Sequence, residues 1–210
     1  FFLSNIWLNT INDPEMPNLA SDLLSTGIIL KARLFIFSFT FFGIVLFIFR
    51  SQNTLLYLQV LLLFGQAFLM PPIRKLGDIS RQLPLRNISK QILNSRQGGE
   101  TLAMIGIRKP SLHFYTKQIV FYESNAAEGV LNLFERFNFD RRINFQDKPN
   151  YDNEFFLVVI DKYSSREEHW SNINHQKLGS HGIYHLWRIK KSDLNSKAID
   201  LLNNGFEANW

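Results

Sequence analysis

Two stretches without a charge lie back to back near the start of this chain, and they constrain its fold more than any other feature. Leu34–Phe49 reads LFIFSFTFFGIVLFIF, 16 residues of which seven are Phe. Ile28, Ile29 and Leu30 extend it backwards past Lys31 and Arg33, whose long stems can lie in apolar surroundings while the charges reach a polar boundary. After Arg50, Ser51, Gln52 and Asn53, a second run covers Thr54–Met70 and meets Pro71-Pro72. Crossing a bilayer as a helix takes about 17–25 residues. Neither run shows a polar face at helical spacing, so both predict membrane helices rather than the buried pair of a soluble protein. The alternation of Phe35, Phe37, Phe39 and Phe41 would also suit a strand. A lone strand in lipid leaves its backbone groups unpaired, which favours the helix. Two spans joined by four polar residues make a hairpin with both ends on one side of the membrane.

Composition supports a folded chain. Hydrophobic residues make up 46% and charged residues 20%, a balance that excludes disorder. Cys is absent, which excludes a disulfide scaffold, a thiolate metal site and a cysteine nucleophile. Residues 1–72 hold three basic and three acidic side chains, so the surplus of +5 lies wholly in the remaining 138 residues. The chain opens on Phe, with no basic leader or small-residue cleavage site, and reads as a fragment or a processed form.

These shifts divide the chain into four segments. Residues 1–27 read as an extramembrane loop. Its first eight residues suit the end of an earlier membrane helix, and Asn18–Leu24 suit a short interfacial helix after Pro14 and Pro17. Residues 28–72 are the hairpin. Residues 73–98 form an amphipathic connecting helix, with Leu85, Ile88 and Ile92 on one face, ended by Gly98-Gly99. Residues 99–210 alternate strand and helix patterns. Strands are expected at Thr101–Ile107, Gln118–Tyr122, Phe155–Ile160 and Ile183–Ile189. Helices are expected from Pro110 to Tyr115, from Asn125 to Phe137, and from a cap at Ser192 to Gly205, with Leu194, Ala198, Leu201 and Leu202 on one side. The expected fold class is a membrane protein: a two-helix transmembrane hairpin followed by a small α/β domain with a mostly parallel sheet.

Motifs for soluble cofactor chemistry are missing. Gly98-Gly99-Glu100-Thr101 lacks the Lys of a phosphate-binding loop, and neither a dinucleotide fingerprint nor a Gly-x-Ser-x-Gly elbow occurs. His181 and His185 have the spacing of two ligands on a helix. On a strand they would stand about 13 Å apart, too far to share a metal, so no metal site is expected. Asp13 and Glu15, in a Pro-bracketed loop, are the candidate pair for acid–base work or for holding a cation. Gln59 and Gln66 share a helical face and suit hydrogen bonds to neighbouring helices. Lys and Arg are scattered and form no reader motif, so nucleic acid is not expected. A lipid headgroup or lipid-linked phosphate is the more economical anion beside a membrane hairpin.

The order of parts carries a resemblance. A polar loop with DPEMP and a Phe-rich hairpin precede LPLRNISKQILNSRQGGETLAMIGIRKPSLHFYTKQIVFY, residues 83–122. Together they resemble the end of bacterial membrane glycosyltransferases of the protein-mannosyltransferase and lipid A aminoarabinose-transferase type. The clearest signature is Pro110, Ser111, Leu112, Phe114 and Tyr115 followed by a short apolar strand. The resemblance spans about residues 10–123, beyond which the match is one of general α/β pattern. It implies transfer of a sugar from a polyprenyl-phosphate donor to a lipid, glycan or protein acceptor. It implies a small α/β domain outside the cytoplasmic membrane of a bacterium, and a catalytic acidic loop, often with a divalent cation, that lies upstream of Phe1 among further membrane helices. Asp13-Pro14-Glu15 lacks the adjacent acidic pair of that loop, so the catalytic role is not carried onto it. This chain then holds no cofactor of its own. Lys109, His113 and Tyr115 are the residues able to face an acceptor, while the motif as a whole packs the domain.

Lys31, Arg33, Arg74 and Lys75 flank the hairpin on the tail's side against Arg50 on the other, and charge bias alone would put the tail in the cytoplasm. Two other functions compete with the transferase: a non-enzymatic, membrane-anchored binding or scaffold module, and a transporter subunit using Gln59 and Gln66.

Overall fold

The computed structural model describes residues 8, 10, 12–49, 53–143 and 154–208, with side chains up to residue 138 in the last helix before the gap. The reading of residues 1–8 as the end of a membrane helix lies outside this set apart from Leu8, as do Arg50, Ser51, Gln52 and the side chains of Arg141-Arg142. The chain divides into two compact units, residues 1–82 and 83–210.

The first unit is helical. A short helix α1 (Leu19–Ser25) ends at Gly27, whose φ of 67° lets the chain turn directly into α2 (Ile28–Ile48). The second long helix, α3, spans Thr54–Gly77. Both are long and apolar enough to cross a membrane, and 6% of the most apolar window of each is buried. Lys31 lies over the Phe68 ring at 5.6 Å, the Phe35 ring packs on Gly65, and Gly43 faces Leu58. As the first member rises in number the second falls, so the helices are antiparallel. At Gly65 a Cβ would occupy the space of the Phe35 ring, and the missing side chain is what lets the two helices approach.

The prolines end the apolar run but not the helix. Pro71 and Pro72 lie inside α3, and helical backbone continues through a π-helical turn at Asp78–Gln82. Proline's fixed φ is compatible with a helix; each proline removes one returning N–H and crowds the carbonyl one turn back, and the backbone here takes this up while staying helical.

The second unit is a three-layer α/β/α sandwich. It opens with α4 (Leu83–Ser95), followed by β1 (Thr101–Ile105), α5 (Pro110–Thr116), β2 (Val120–Glu123) and α6 (Ala127–Ile143). Then come β3 (Phe155–Asp161), a helical turn α7 (Glu168–Ser171), β4 (His175–His181), β5 (Tyr184–Lys190) and α8 (Lys191–Asn203). The sheet order is β2-β1-β3-β5-β4. Both faces of its centre are covered, which is why TLAMI and FFLVVI read as continuous apolar runs. Leu102, Met104, Leu157, Val159 and Leu186 pack toward Leu85, Ile88 and Ile92 of α4 and Leu112 of α5. Ala103, Ile105, Phe156, Val158, Ile160 and Ile189 pack toward Val130 and Leu131 of α6 and Leu194, Ala198 and Leu201 of α8. Helix α4 therefore supplies part of the sheet domain's core.

The sheet is mixed, which corrects the expectation of mostly parallel pairing. β1 pairs in parallel with β2 and β3, whereas β3–β5 and β5–β4 are antiparallel. The reason is a fifth strand, His175–His181, whose sequence HQKLGSH has no apolar alternation because it is a half-exposed edge. It joins β5 through a tight turn in which Gly182 has φ 59°, and such a hairpin reverses direction. His181 and His185 thus stand on two adjacent strands, in neighbouring rungs of the register, rather than on one.

Two helix ends also differ from expectation. Helix α8 starts at Lys191 with no side-chain cap, so Ser192 is inside it, and Leu202 is exposed. Its C-terminus closes as expected: Gly205 has φ 84°, and the Phe206 N–H reaches the Leu201 carbonyl at 3.1 Å. Helix α6 runs on past Phe137 to Ile143.

Gly106 ends β1 with φ 83°, and a Cβ there would collide with the Asp161 carboxylate and the Ser164 hydroxyl. Gly106→Ala is therefore expected to destabilise the sheet domain by more than about 2 kcal/mol, read as a lower urea midpoint at unchanged slope.

Candidate functional site

Asp13 and Glu15 meet a third residue that the spacing did not indicate. Arg81, on the π-helical turn, donates to the Asp13 carboxylate and places Nε 3.5 Å from Glu15. The Glu15 N–H also donates to Asp13 Oδ1 at 2.9 Å. Partial burial pushes the Asp13 pKa upward, but the Glu15 N–H, the Arg81 guanidinium and the Met16 N–H outweigh it and hold the carboxyl below its ordinary value. Such a carboxylate is a weak base, already engaged with a cation; the geometry makes the pair a clamp on Arg81.

Lys109, His113 and Tyr115 lie together around α5 in different roles. Pro110 opens the helix, with Lys109 as its extended N-cap. The Lys109 carbonyl accepts from the Tyr122 hydroxyl at 3.0 Å, and burial raises the Tyr122 pKa, keeping the phenol protonated as a donor. The His113 Nδ1 contacts the Gln118 carbonyl and closes the turn after the helix. Tyr115 packs against the core beneath α5 and meets Phe114 edge-to-face at 5.6 Å. Leu112 is fully buried, whereas Phe114 is 76% exposed. Packing therefore accounts for Leu112 and Tyr115 of the motif but not for Phe114.

In an open α/β sheet, ligands favour the carboxyl ends of parallel strands where successive connections diverge. Here α5 covers one face and α6 the other, so that point lies at the ends of β1 and β3. It is filled by the protein itself. Asp161, 2% exposed, accepts from the N–H groups of Tyr163 and Ser164 at 2.9 and 3.0 Å through Oδ1. Through Oδ2 it accepts from the Ser164 hydroxyl at 2.6 Å and the Ile107 N–H at 3.2 Å. A buried carboxylate with four donors is fully satisfied, and it takes the donors a phosphate would need. The Asp-x-x-Ser spacing was the sequence signal for this turn.

The opposite edge is open. At the amino ends of β1 and β3, a cavity of about 430 Å³ is lined by Gln97, Gly98, Gly99, Glu100, Glu154, Phe155 and Lys191. A second, of about 260 Å³, shares Phe155 and adds Asn174, His175, Gln176, Arg188, Lys190 and Asp193. Charges along this groove balance: Glu100, Glu154 and Asp193 against Arg188, Lys190 and Lys191. Glu100, 5% exposed, is bound by Arg188 at 2.7 Å, and Glu154 by Lys191 at 2.8 Å. Arg188 also donates to the Ser95 carbonyl at 2.6 Å, tying the end of α4 to the groove floor. Phe155 carries Lys190 at 5.8 Å, and His175 stacks on Trp187 at 3.8 Å. The set comprises amides, charges that are mostly paired and an aromatic ring, which suits a neutral, hydroxyl-rich ligand better than an ion. Sequence reading missed it because Glu100 and Arg188 are 88 residues apart and only the sheet joins them. Among the described residues, no group of three or more His, Asp or Glu side chains could hold a metal.

Among known proteins, one match is confined to this second unit and two extend over most of the chain. Residues 95–205 match the family model described as cyanobacterial RgtA-type glycosyltransferase, C-terminal domain. Among solved structures, the chain is similar to ArnT from Cupriavidus metallidurans bound to undecaprenyl phosphate, with 12% identity and a TM-score of 0.46. That match covers 89% of this chain and 34% of that one. The apo state of the same protein gives 12% identity and a TM-score of 0.46 over 91% of this chain and 35% of that one. The chain thus spans about a third of the length of these structures. No curated protein matches it.

His185 gives the sheet domain a pH dependence. It is half-buried on β5, with Nδ1 lacking a hydrogen-bond partner. Burial, then the charges of Lys177 and Lys162, lower its pKa, with Asp161 pulling partly back. The unfolded chain takes up this proton near pH 6.5, the folded chain only at lower pH. Between those values the unfolded state binds more protons, so stability falls as pH drops below about 6.5 and levels off below the folded pKa. His185→Gln is expected to flatten that part of the profile, measured by urea titration with tryptophan fluorescence at stepped pH.

Proposed function

Because this chain belongs to the RgtA-type glycosyltransferase C-terminal-domain family, we propose that it is the C-terminal part of an integral-membrane enzyme that moves a sugar from a polyprenyl-phosphate donor to a lipid, glycan or protein acceptor. The observation that carries this reading is the family match over residues 95–205, which covers the sheet domain almost end to end. Two uncovered apolar helices just ahead of that domain suit an enzyme whose donor is itself dissolved in lipid. On this reading the catalytic carboxylate, and any divalent cation, belong to a loop outside this chain, and the engagement of Asp13 and Glu15 with Arg81 supports it. On this reading α2 and α3 span the cytoplasmic membrane beside further helices of the same protein, and the sheet domain lies on its outer side.

The groove around Phe155 is the acceptor surface in this proposal. Its aromatic face suits the C–H side of a sugar ring, and its amides and paired charges suit hydroxyls. Acceptor binding here would leave the chemistry to the membrane part and use the sheet domain to hold the recipient.

The test uses the whole protein in its membrane, supplied with radiolabelled polyprenyl-phosphate sugars and a cell-envelope acceptor extract. Label is expected to move to the acceptor fraction. If nucleotide sugars served as donors and polyprenyl-phosphate sugars did not, the donor assignment would fall. Phe155→Ala is expected to raise the KM for acceptor about tenfold, roughly 1.4 kcal/mol, with the KM for donor unchanged.

A further inference from the structure

Phe114 and Ile119 are the most exposed large apolar side chains among the described residues of the sheet domain, at 76% and 75%. They stand on either side of Lys117, whose positive φ of 53° turns the chain from α5 toward β2. The turn cannot fold in to hide them. Leu112 and Thr116 already fill the buried face of α5, the Thr116 hydroxyl returns to the Leu112 carbonyl at 2.8 Å, and His113 holds the Gln118 carbonyl.

The charge along this stretch of chain has one sign. Between Glu100 and Glu123 the chain carries Arg108, Lys109 and Lys117 and no acidic residue. Arg108 and Lys117 are exposed. An aromatic and an aliphatic side chain presented to solvent beside cations match the boundary of an anionic bilayer: apolar groups enter between headgroups while the cations meet phosphates. We propose that the Phe114–Ile119 turn is an interfacial anchor that seats the sheet domain on an anionic lipid surface. This assigns the exposed half of the Pro-Ser-Leu-x-Phe-Tyr motif a role that packing leaves unexplained. The inference rests on reading α2 and α3 as membrane spans.

The absence of Cys makes the test direct. Single nitroxides are attached at Phe114→Cys, Ile119→Cys, Phe64→Cys within α3, and Asn203→Cys at the end of α8, in the full chain. Each variant is placed in phosphatidylcholine nanodiscs with about a quarter phosphatidylglycerol. The readout is the ratio of relaxation by oxygen, which concentrates in lipid, to that by a water-soluble nickel chelate. Positions 114 and 119 are expected to give a ratio severalfold above position 203. Lys117→Glu, or pure phosphatidylcholine, is expected to bring both down to the level of 203. Ratios at 114 and 119 equal to that at 203, while position 64 reports lipid, would overturn the anchor alone. So would protection of both positions from both reagents, the sign of a protein contact. An aqueous signal at position 64 would remove the membrane reading and the anchor with it.

Discussion

A helix that is apolar on every side has to be covered by something, and α2 and α3 cover each other along one seam. Phe35 on Gly65, Lys31 over Phe68 and Gly43 beside Leu58 define that seam. Phe47, Phe49, Leu55 and Phe64 remain more than three-quarters exposed. Water is a poor solvent for such a surface; at about 25 cal/mol per Å² even a few of these side chains would cost several kcal/mol. Apart from the two N–H groups that Pro71 and Pro72 remove from α3, the interior backbone of both helices pairs within the helix, so a lipid environment adds few unpaired polar groups. The membrane part of the proposed function follows from this demand for apolar surroundings, and the transferase part from the family.

The sheet domain answers the same physics in the opposite way. It covers both faces of its sheet with its own helices and keeps its polar groups at the two ends of the strands. At the carboxyl ends, Asp161 occupies a ring of four donors and closes the crevice that folds of this kind often leave for phosphates. At the amino ends, Glu100–Arg188 and Glu154–Lys191 neutralise each other and leave a groove floored by Phe155. In the proposed function, this open and neutral end is what holds the acceptor.

Legibility varied with the range of the interaction. The apolar runs, the stripe of Leu85, Ile88 and Ile92, Pro110 at the first turn of α5, and Gly205 after α8 were all readable, because each depends on residues within a turn or two. The edge strand β4 was not, since half-exposed His175–His181 carries no alternation to detect. Missing it made the sheet look mostly parallel. Of the site residues, Asp13 and Glu15 could be singled out by type and spacing, but not their capture by Arg81, 68 residues away. Phe114 was read as packing because its motif neighbours Leu112 and Tyr115 do pack.

The sequence alone determined that two uninterrupted apolar segments require lipid or an equivalent cover, that a basic α/β domain follows, and that cysteine chemistry has no part in it. Local side-chain chemistry and periodicity decide those properties, and folding does not alter them. Tertiary structure alone decided the mixed sheet, the Asp161 plug, the neutral groove at Phe155 and the exposure of Phe114 and Ile119. Each of these depends on which distant residues the strand register brings within hydrogen-bonding or packing distance, and that information is spread over the whole chain.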